Sequence, residues 1–306
     1  MAEQTQGKAV QTTGHAWDGD LQEFNNPLPT WWLWTFYASV LFAVVYWIFY
    51  PAWPIGHDFT KGINTVTFES QGKEVTTHWN TRAELISEMQ TGELSKLQQQ
   101  YLDKVSHASF DEIVNDADMM AFTRSTAKVL FADNCAACHG TGGVPAKFGL
   151  YPNLADDAWL WGGSLPKIQE TLQHGRLGFM PAFRATLTDA EIEEVANYVL
   201  SLSGQAADAT KVAAGKAIFQ GEKGGCYYCH TKAGTGLQSQ GSANLTDAIW
   251  TVANVPGAAS PEEKLHRVEE VIRDGIQRRM PAWSERLSPA QIKLLAVYVY
   301  SLGGGQ

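Results

Sequence analysis

Cys135-Ala136-Ala137-Cys138-His139 returns 91 residues later as Cys226-Tyr227-Tyr228-Cys229-His230, and the two runs use all four cysteines of the 306-residue chain. A C-x-x-C-H run is the attachment signal of a c-type haem. Two thiols add to the two vinyl groups of one porphyrin and become thioethers. The intervening pair sets their separation, and the histidine that follows is placed under the ring to bind the iron. Two such runs predict two covalently bound haem c groups, held by Cys135, Cys138, Cys226 and Cys229, with His139 and His230 on the irons. A thioredoxin-like dithiol would sit in a βαβ pattern, which is absent. A zinc site needs both motifs in one small domain, and a separation of 91 residues fits that poorly. A structural disulfide leaves the trailing histidines unexplained.

Each iron needs a second axial ligand. Gly178-Phe179-Met180-Pro181-Ala182-Phe183 and Arg278-Arg279-Met280-Pro281-Ala282-Trp283 share Met-Pro-Ala-aromatic. Met180 lies 41 residues after His139, and Met280 lies 50 after His230. A thioether is a soft ligand that favours reduced iron and raises the potential. Met180 and Met280 are therefore the expected ligands, while Met1, Met89, Met119 and Met120 read as apolar filler. His174 and His266 precede the two methionines and stand as the alternative ligands. His15, His57, His78 and His107 carry no ligand spacing. Arg176, Arg278 and Arg279 lie beside the methionines, where a guanidinium either meets a haem propionate or stays in solvent.

The repeat extends beyond these motifs. Asn153-Leu154 matches Asn244-Leu245 at the same offset of 91, and Val199-Leu200-Ser201-Leu202 matches Val299-Tyr300-Ser301-Leu302 at an offset of 100. The second copy thus carries nine additional residues, expected near Pro256–Glu263. Thr188-x-x-Glu191 is a capping box ahead of Ile192, Val195, Ala196, Val199 and Leu200 on one helical face. Ser288-Pro289-Ala290-Gln291 opens the matching helix, with proline at its first position. Short helices are expected ahead of each haem motif, near Thr123–Ala132 and Ala209–Phe219. Helix, haem motif, loops, methionine, helix is the order of a cytochrome c-like domain, present twice. A domain of about 90 residues has a modest core of its own, so the porphyrin must supply much of the buried apolar surface.

From Phe24 to Gly56 there is no Asp, Glu, Lys or Arg. Within it, Trp31 to Tyr50 is almost wholly apolar and aromatic, long enough at about 30 Å to span a bilayer. Tryptophan and tyrosine cluster at both ends, as at membrane interfaces. The first 30 residues hold one Lys and four acidic residues, and Pro51-Ala52-Trp53-Pro54 is a poor cleavage site, so a retained anchor is expected rather than a signal peptide. Haem attachment takes place outside the cytoplasmic membrane, which orients the chain. The plan is mainly α. A cytoplasmic segment (1–30) leads to one N-terminal transmembrane helix (31–52) and a periplasmic connector (53–121), then two tandem cytochrome c-like haem domains (122–205 and 206–306). In the connector, Thr65–Phe68 and Glu74–Trp79 alternate around Gln71-Gly72 as a hairpin, and Arg82–Val105 reads as one helix.

The net charge is −9, with no basic patch suited to nucleic acid. Together with the haem propionates, it suits either a basic redox partner or simple solubility.

The whole layout resembles one family. Gly14-His15-Ala16-Trp17-Asp18-Gly19-Asp20 is followed by Asn26-Pro27-Leu28-Pro29-Thr30-Trp31-Trp32, then a membrane span and two His/Met haem domains. This is similar to the dihaem subunit III, or P subunit, of cbb3-type cytochrome c oxidases. The resemblance covers nearly the full chain. It implies that the chain accepts electrons from a cytochrome c donor and passes them to the monohaem subunit and on to the catalytic subunit. There, on another chain, oxygen is reduced to water and protons are pumped. It implies residence in the bacterial inner membrane with both haems in the periplasm, and no bond chemistry on this chain. Two rivals stand beside it: a membrane-anchored dihaem cytochrome serving another redox complex, and a dihaem peroxidase. The Asn-Pro-Leu-Pro-Thr-Trp-Trp run argues against the first. The second needs an open iron, whereas both copies offer a methionine.

Overall fold

The computed structural model describes residues 11–304 and divides the chain into two compact units, one ending at Leu97 and one beginning at Gln98. The first unit opens with an antiparallel hairpin, β1 (Thr12–Trp17) and β2 (Leu21–Phe24). Asp18 and Gly19 take positive φ of 51° and 88° in its turn, the conformation that an Asp-Gly pair favours. That dipeptide was the signal for a hairpin that the sequence reading passed over. Pro29 then leads into α1 (Thr30–Phe49), which has no buried residue within the chain. An apolar helix with none of its residues buried among the described residues needs lipid or another protein around it.

A two-residue strand pair follows, β3 (Pro54–Ile55) and β4 (Asp58–Phe59), then the hairpin β5 (Thr65–Ser70) and β6 (Lys73–His78). Gln71 and Gly72 form its turn, as the sequence pattern predicts. The hairpin is tied to the end of α1: Asn64 N donates to the Phe49 carbonyl at 3.0 Å, and Trp79 stacks edge-on against Tyr50. Next come α2 (Thr81–Thr91) and α3 (Glu93–His107). The single helix expected over Arg82–Val105 is broken at Gly92, whose backbone turns extended (ψ 152°). Glycine has little helix propensity, and Glu93 restarts the next helix with its acid in the first turn. The Gln90 side-chain amide bonds both backbone groups of Glu69, covering the free edge of β5.

The second unit continues with α4 (Phe110–Asn115), α5 (Ala117–Asn134), the single turn α6 (Ala136–His139), α7 (Leu165–His174) and β7 (Arg176–Met180). Then come α8 (Asp189–Leu202), α9 (Ala209–Gln220), the turn α10 (Tyr227–His230), α11 (Pro261–Asp274), β8 (Ile276–Met280) and α12 (Pro289–Tyr300). Capping boxes open α8 and α12, from Thr188 with Glu191 and from Ser288 with Gln291. The additional residues of the second copy are shared between a longer loop ahead of α11 and the helix itself, 14 residues against 10 in α7.

The hydrophobic cores do not follow the repeats. The sequence leads one to expect that each closing helix folds back on the first helix of its own copy. Instead α12 lies on α5 and α7, and α8 lies on α9 and α11. Phe131 meets Tyr298, with centroids 5.5 Å apart, and Phe219 meets Tyr198 at 5.2 Å. One core joins Ile113, Phe131, Ile168 and Leu172 to Leu295 and Val299. The other joins Ile192, Val195 and Val199 to Phe219, Val268 and Ile272. The boundary at 205/206, between the expected domains 122–205 and 206–306, therefore falls in the turn of a packed helix pair. The short connection Ser203–Asp208 makes α8 and α9 adjacent antiparallel helices. Buried Asn197 fixes that turn, accepting from Asp208 N at 2.7 Å and donating to the Glu193 carbonyl at 2.9 Å. Gly215 marks the closest approach of the pair; a Cβ there would stand 1.9 Å from the Glu194 carbonyl oxygen.

Glu191 joins α8 to the loop ahead of Cys226. Its carboxylate pairs with Lys223 and accepts from Thr188 N at 2.9 Å. The Lys223 contact first, then the Thr188 bonds, hold its pKa down from 4.5 to about 2. A depressed pKa stabilises the fold above the unfolded value, and that stabilisation is lost as pH falls through the folded one. The stability gap between wild type and Glu191→Gln, measured by denaturant unfolding, is expected to be open above pH 4.5 and to close as pH falls to about 2. A gap unchanged over that range would remove Glu191 from the acid response.

Two candidate haem sites

Each haem motif is one helical turn stopped by a left-handed residue. Cys135 ends α5, and α6 carries Ala136 to His139. Gly140 then takes φ 73°, and a Cβ there would stand 1.9 Å from the Val144 carbonyl oxygen. In the second copy Cys226 opens α10, and Thr231 stands at the position of Gly140 with φ 65°. That is strained for a β-branched residue. Its hydroxyl accepts from Thr235 N at 3.2 Å and meets the Thr235 hydroxyl at 2.9 Å, which holds the turn. Cys135 is buried and Cys226 half-buried, while Cys138 and Cys229 are exposed. In each copy the first cysteine lies deeper than the second, which is at the surface.

Both histidines are oriented alike. His139 Nδ1 is 3.0 Å from the Pro152 carbonyl oxygen, and His230 Nδ1 is 3.0 Å from that of Ala243. A carbonyl only accepts, so Nδ1 carries the proton and Nε2 keeps its lone pair for a metal. Burial lowers the pKa of both rings, opposed by the carbonyl bond, and so keeps the neutral imidazole that ligates iron. Burial also pushes the Cys135 and Cys226 thiols up to about 11. The loops beyond are built to one plan. Leu154 N bonds the Gly143 carbonyl at 2.8 Å, and Leu245 N bonds that of Gly234 at 2.7 Å. Asn153 and Asn244 each accept from the backbone two residues on, which explains the repeated Asn-Leu.

Met180 and His230 line one cavity, and Met280 packs on the core of Cys135, four residues ahead of His139. That largely apolar cavity is also lined by Cys226, Leu245 and Trp250. Trp283 and Leu154 pack on the same core as Met280. His174 is exposed at the end of α7. His266 is 61% exposed and faces Glu269 and Glu270. Neither is drawn into a core or cavity. Met119 is core filler, Met89 lies on the surface, and Met1 is outside the described residues. Among the described residues no three His, Cys, Asp or Glu side chains converge on a metal position, so the zinc reading finds no assembled site.

The residues fit a haem. The indole N–H groups of Trp159 and Trp250 are buried and have no hydrogen-bond partner among the described residues. They stand at the repeat offset of 91, and Trp250 lines the cavity of His230. A buried orphan donor is costly, and a porphyrin brings carboxylates that can accept from it. These tryptophans were missed in the sequence, although their offset was legible. Arg278 is half-buried, its pKa lowered by burial, and among the described residues no carboxylate pairs with it. Arg176 is otherwise engaged, bonding Glu170 and Thr171 at 2.9 Å each.

Residues 9–57 match the model of the N-terminal domain of cytochrome oxidase-cbb3, FixP. Residues 123–199 and 210–299 match that of cytochrome c oxidase, cbb3-type, subunit III. The chain belongs to the subunit III family of cbb3-type cytochrome c oxidases. A cbb3-type cytochrome c oxidase subunit FixP of Azorhizobium caulinodans is 42% identical over 304 residues, covering 96% of this chain and 94% of its own. A FixP subunit of Bradyrhizobium sp. (strain ORS 278) is 44% identical, covering 96% and 95%. A CcoP subunit of Cereibacter sphaeroides is 36% identical over the same shares. Family membership implies haem c, and the two tandem matches coincide with the two repeats of this subunit III chain.

Gly275 (φ 70°) sits under the Met180 loop, where a Cβ would stand 2.5 Å from the Met180 carbonyl oxygen. Gly204 has a similar φ (71°) with nothing within 4 Å. Gly204→Ala is expected to show backbone strain alone, about 1 kcal/mol. Gly275→Ala should cost clearly more in denaturant unfolding; equal losses would mean that the loop yields freely.

Proposed function

We propose that this subunit III carries electrons from a cytochrome c donor through two covalently bound haems to the monohaem and catalytic subunits of its oxidase. The observation that carries the reading is the doubled site: His139 and His230, each with Nδ1 on a carbonyl 3.0 Å away and Nε2 left for a metal, each following one inner and one exposed cysteine. Bound haem c supplies an iron that alternates between ferric and ferrous. The chain's residues set the conditions. The carbonyls of Pro152 and Ala243 hold the imidazoles in one tautomer and strengthen them as ligands. The thioethers of Met180 and Met280 favour the reduced state. Val195, Val199 and Phe219 wall the second cavity and limit water. Trp159, Trp250 and Arg278 offer donors and charge to the propionates. No bond is made or broken on this chain, and oxygen chemistry belongs to the catalytic subunit.

The exposed cysteines Cys138 and Cys229 mark the rim at which the porphyrin edge meets solvent, the side on which a donor would dock. The helix α1 would lie in the lipid of the inner membrane, with both haem sites in the periplasm, where haem is attached. The acidic chain, at −9, suits a basic donor.

Two haems per chain should survive denaturation and acidified acetone, giving haem stain on a denaturing gel and a haem-to-chain ratio of two. Cys226→Ala/Cys229→Ala should halve that ratio. Haem that extracts freely from the wild-type chain would end the reading. Protease added to intact spheroplasts should release a soluble fragment carrying both haems, whereas full protection would reverse the topology.

A further inference from the structure

Three arginines stand on the strand pair β7 and β8, and each has a different place. The strands pair Arg176 with Met280, Gly178 with Arg278, and Met180 with Ile276. Exposure alternates along both: Arg176, Gly178, Met180, Ile276, Arg278 and Met280 share the less exposed face, and Arg279 is on the exposed one. Residues directly opposite one another in a ladder lie on the same face. The inner face therefore has three rows. A methionine stands in each outer row, and Arg278 stands in the middle one. Each outer row is two residues away, about 7 Å along the strands.

The charges of the three are handled differently. Arg279 faces water, where its field is screened. Arg176 is neutralised by Glu170, bonds Thr171 at 2.9 Å and lies over the ring of Trp161. Arg278 is half-buried and has no such partner. Among the described residues, arginine ion pairs belong to Arg176, Arg184, Arg267 and Arg273. Hydrogen bonds from arginine side chains belong to Arg176, Arg267 and Arg273. Across from Arg278 the row holds a residue without a side chain. A Cβ on Gly178 would meet only the Arg278 carbonyl oxygen, at 3.9 Å, so that place on the inner face is open. A guanidinium drawn partly out of water and left unpaired is costly. The ligand that fits its planar fork is a carboxylate, and a haem c brings its propionates.

We infer that Arg278 serves both haem sites at once: its guanidinium takes porphyrin carboxylate on the inner face of the ladder, and its charge raises the reduction potential of both irons. The inference rests on the dihaem reading above and deepens it. The sign follows from charge. A ferric site carries one positive charge more than a ferrous one, so a cation nearby disfavours the ferric state. In the half-buried middle row water screens that repulsion less than at the surface. The sharing does not depend on which methionine serves which iron, because Arg278 stands between the two.

The test is a redox titration of the full dihaem chain, which reads two midpoint potentials. Arg278→Gln should lower both. Arg278→Lys, which keeps the charge, should bring both back toward wild type. Arg279→Gln, on the exposed face, should leave both in place. A second route keeps Arg278 itself and serves if its variants do not fold. Gly178→Asp puts a carboxylate opposite the guanidinium, where there is room for it, and should lower both potentials. Gly178→Asn, of the same shape without the charge, should lower them less. A shift confined to one potential would tie Arg278 to a single site and overturn the sharing. Potentials unmoved by the Gln and Asp variants, or moved as far by Lys and Asn, would overturn the role of its charge. A chain without covalent haem would instead overturn the dihaem reading.

Discussion

Five residue pairs, from Arg176 opposite Met280 to Met180 opposite Ile276, hold the haem-bearing unit in its arrangement. An isolated two-stranded ribbon is marginal in water, so this one depends on what is packed around it. Helices α7 and α11 end where the strands begin, and the Met-Pro-Ala loops turn back onto those helix ends. In return the ribbon decides which core each closing helix joins. Once β7 has crossed to the second site, α8 can only continue there, and the six-residue connection to α9 keeps it there.

The parts legible in the sequence are those decided by neighbours along the chain. The C-x-x-C-H runs, the Met-Pro-Ala pair, the capping boxes at Thr188 and Ser288 and the charge-free stretch around Trp31–Tyr50 each state their chemistry within a few residues. The exchange of closing helices is not of that kind. Both copies present the same apolar stripe, so Val195 and Leu295 fit either core equally well on paper. What decides is the length of the Ser203–Asp208 connection and the pairing of two strands 100 residues apart. The break at Gly92 was overlooked for the opposite reason, because the Gln- and Glu-rich pattern runs evenly across it.

The two sites are alike in plan and unequal in detail. Gly140 turns the chain after the first motif without strain, whereas Thr231 does so only with the support of Thr235. Ala136-Ala137 in the first motif is replaced by Tyr227-Tyr228 in the second, two rings 4.2 Å apart, of which Tyr227 packs on the second core and Tyr228 is exposed. The proposed axial ligands, alike in type, would therefore sit in different surroundings, and burial and local polarity are levers on haem potential.

The crossing also reverses the order of assembly against the order of synthesis. Every buried residue of the second core lies between Leu187 and Ile272, so that core can close once this stretch has been made. The first core needs Ile292 to Val299, which are made after every buried residue of the second core. The motif at Cys135 and Cys138, made first, therefore belongs to the core completed by the later stretch. A chain stopped early would carry a finished second core and an unfinished first one.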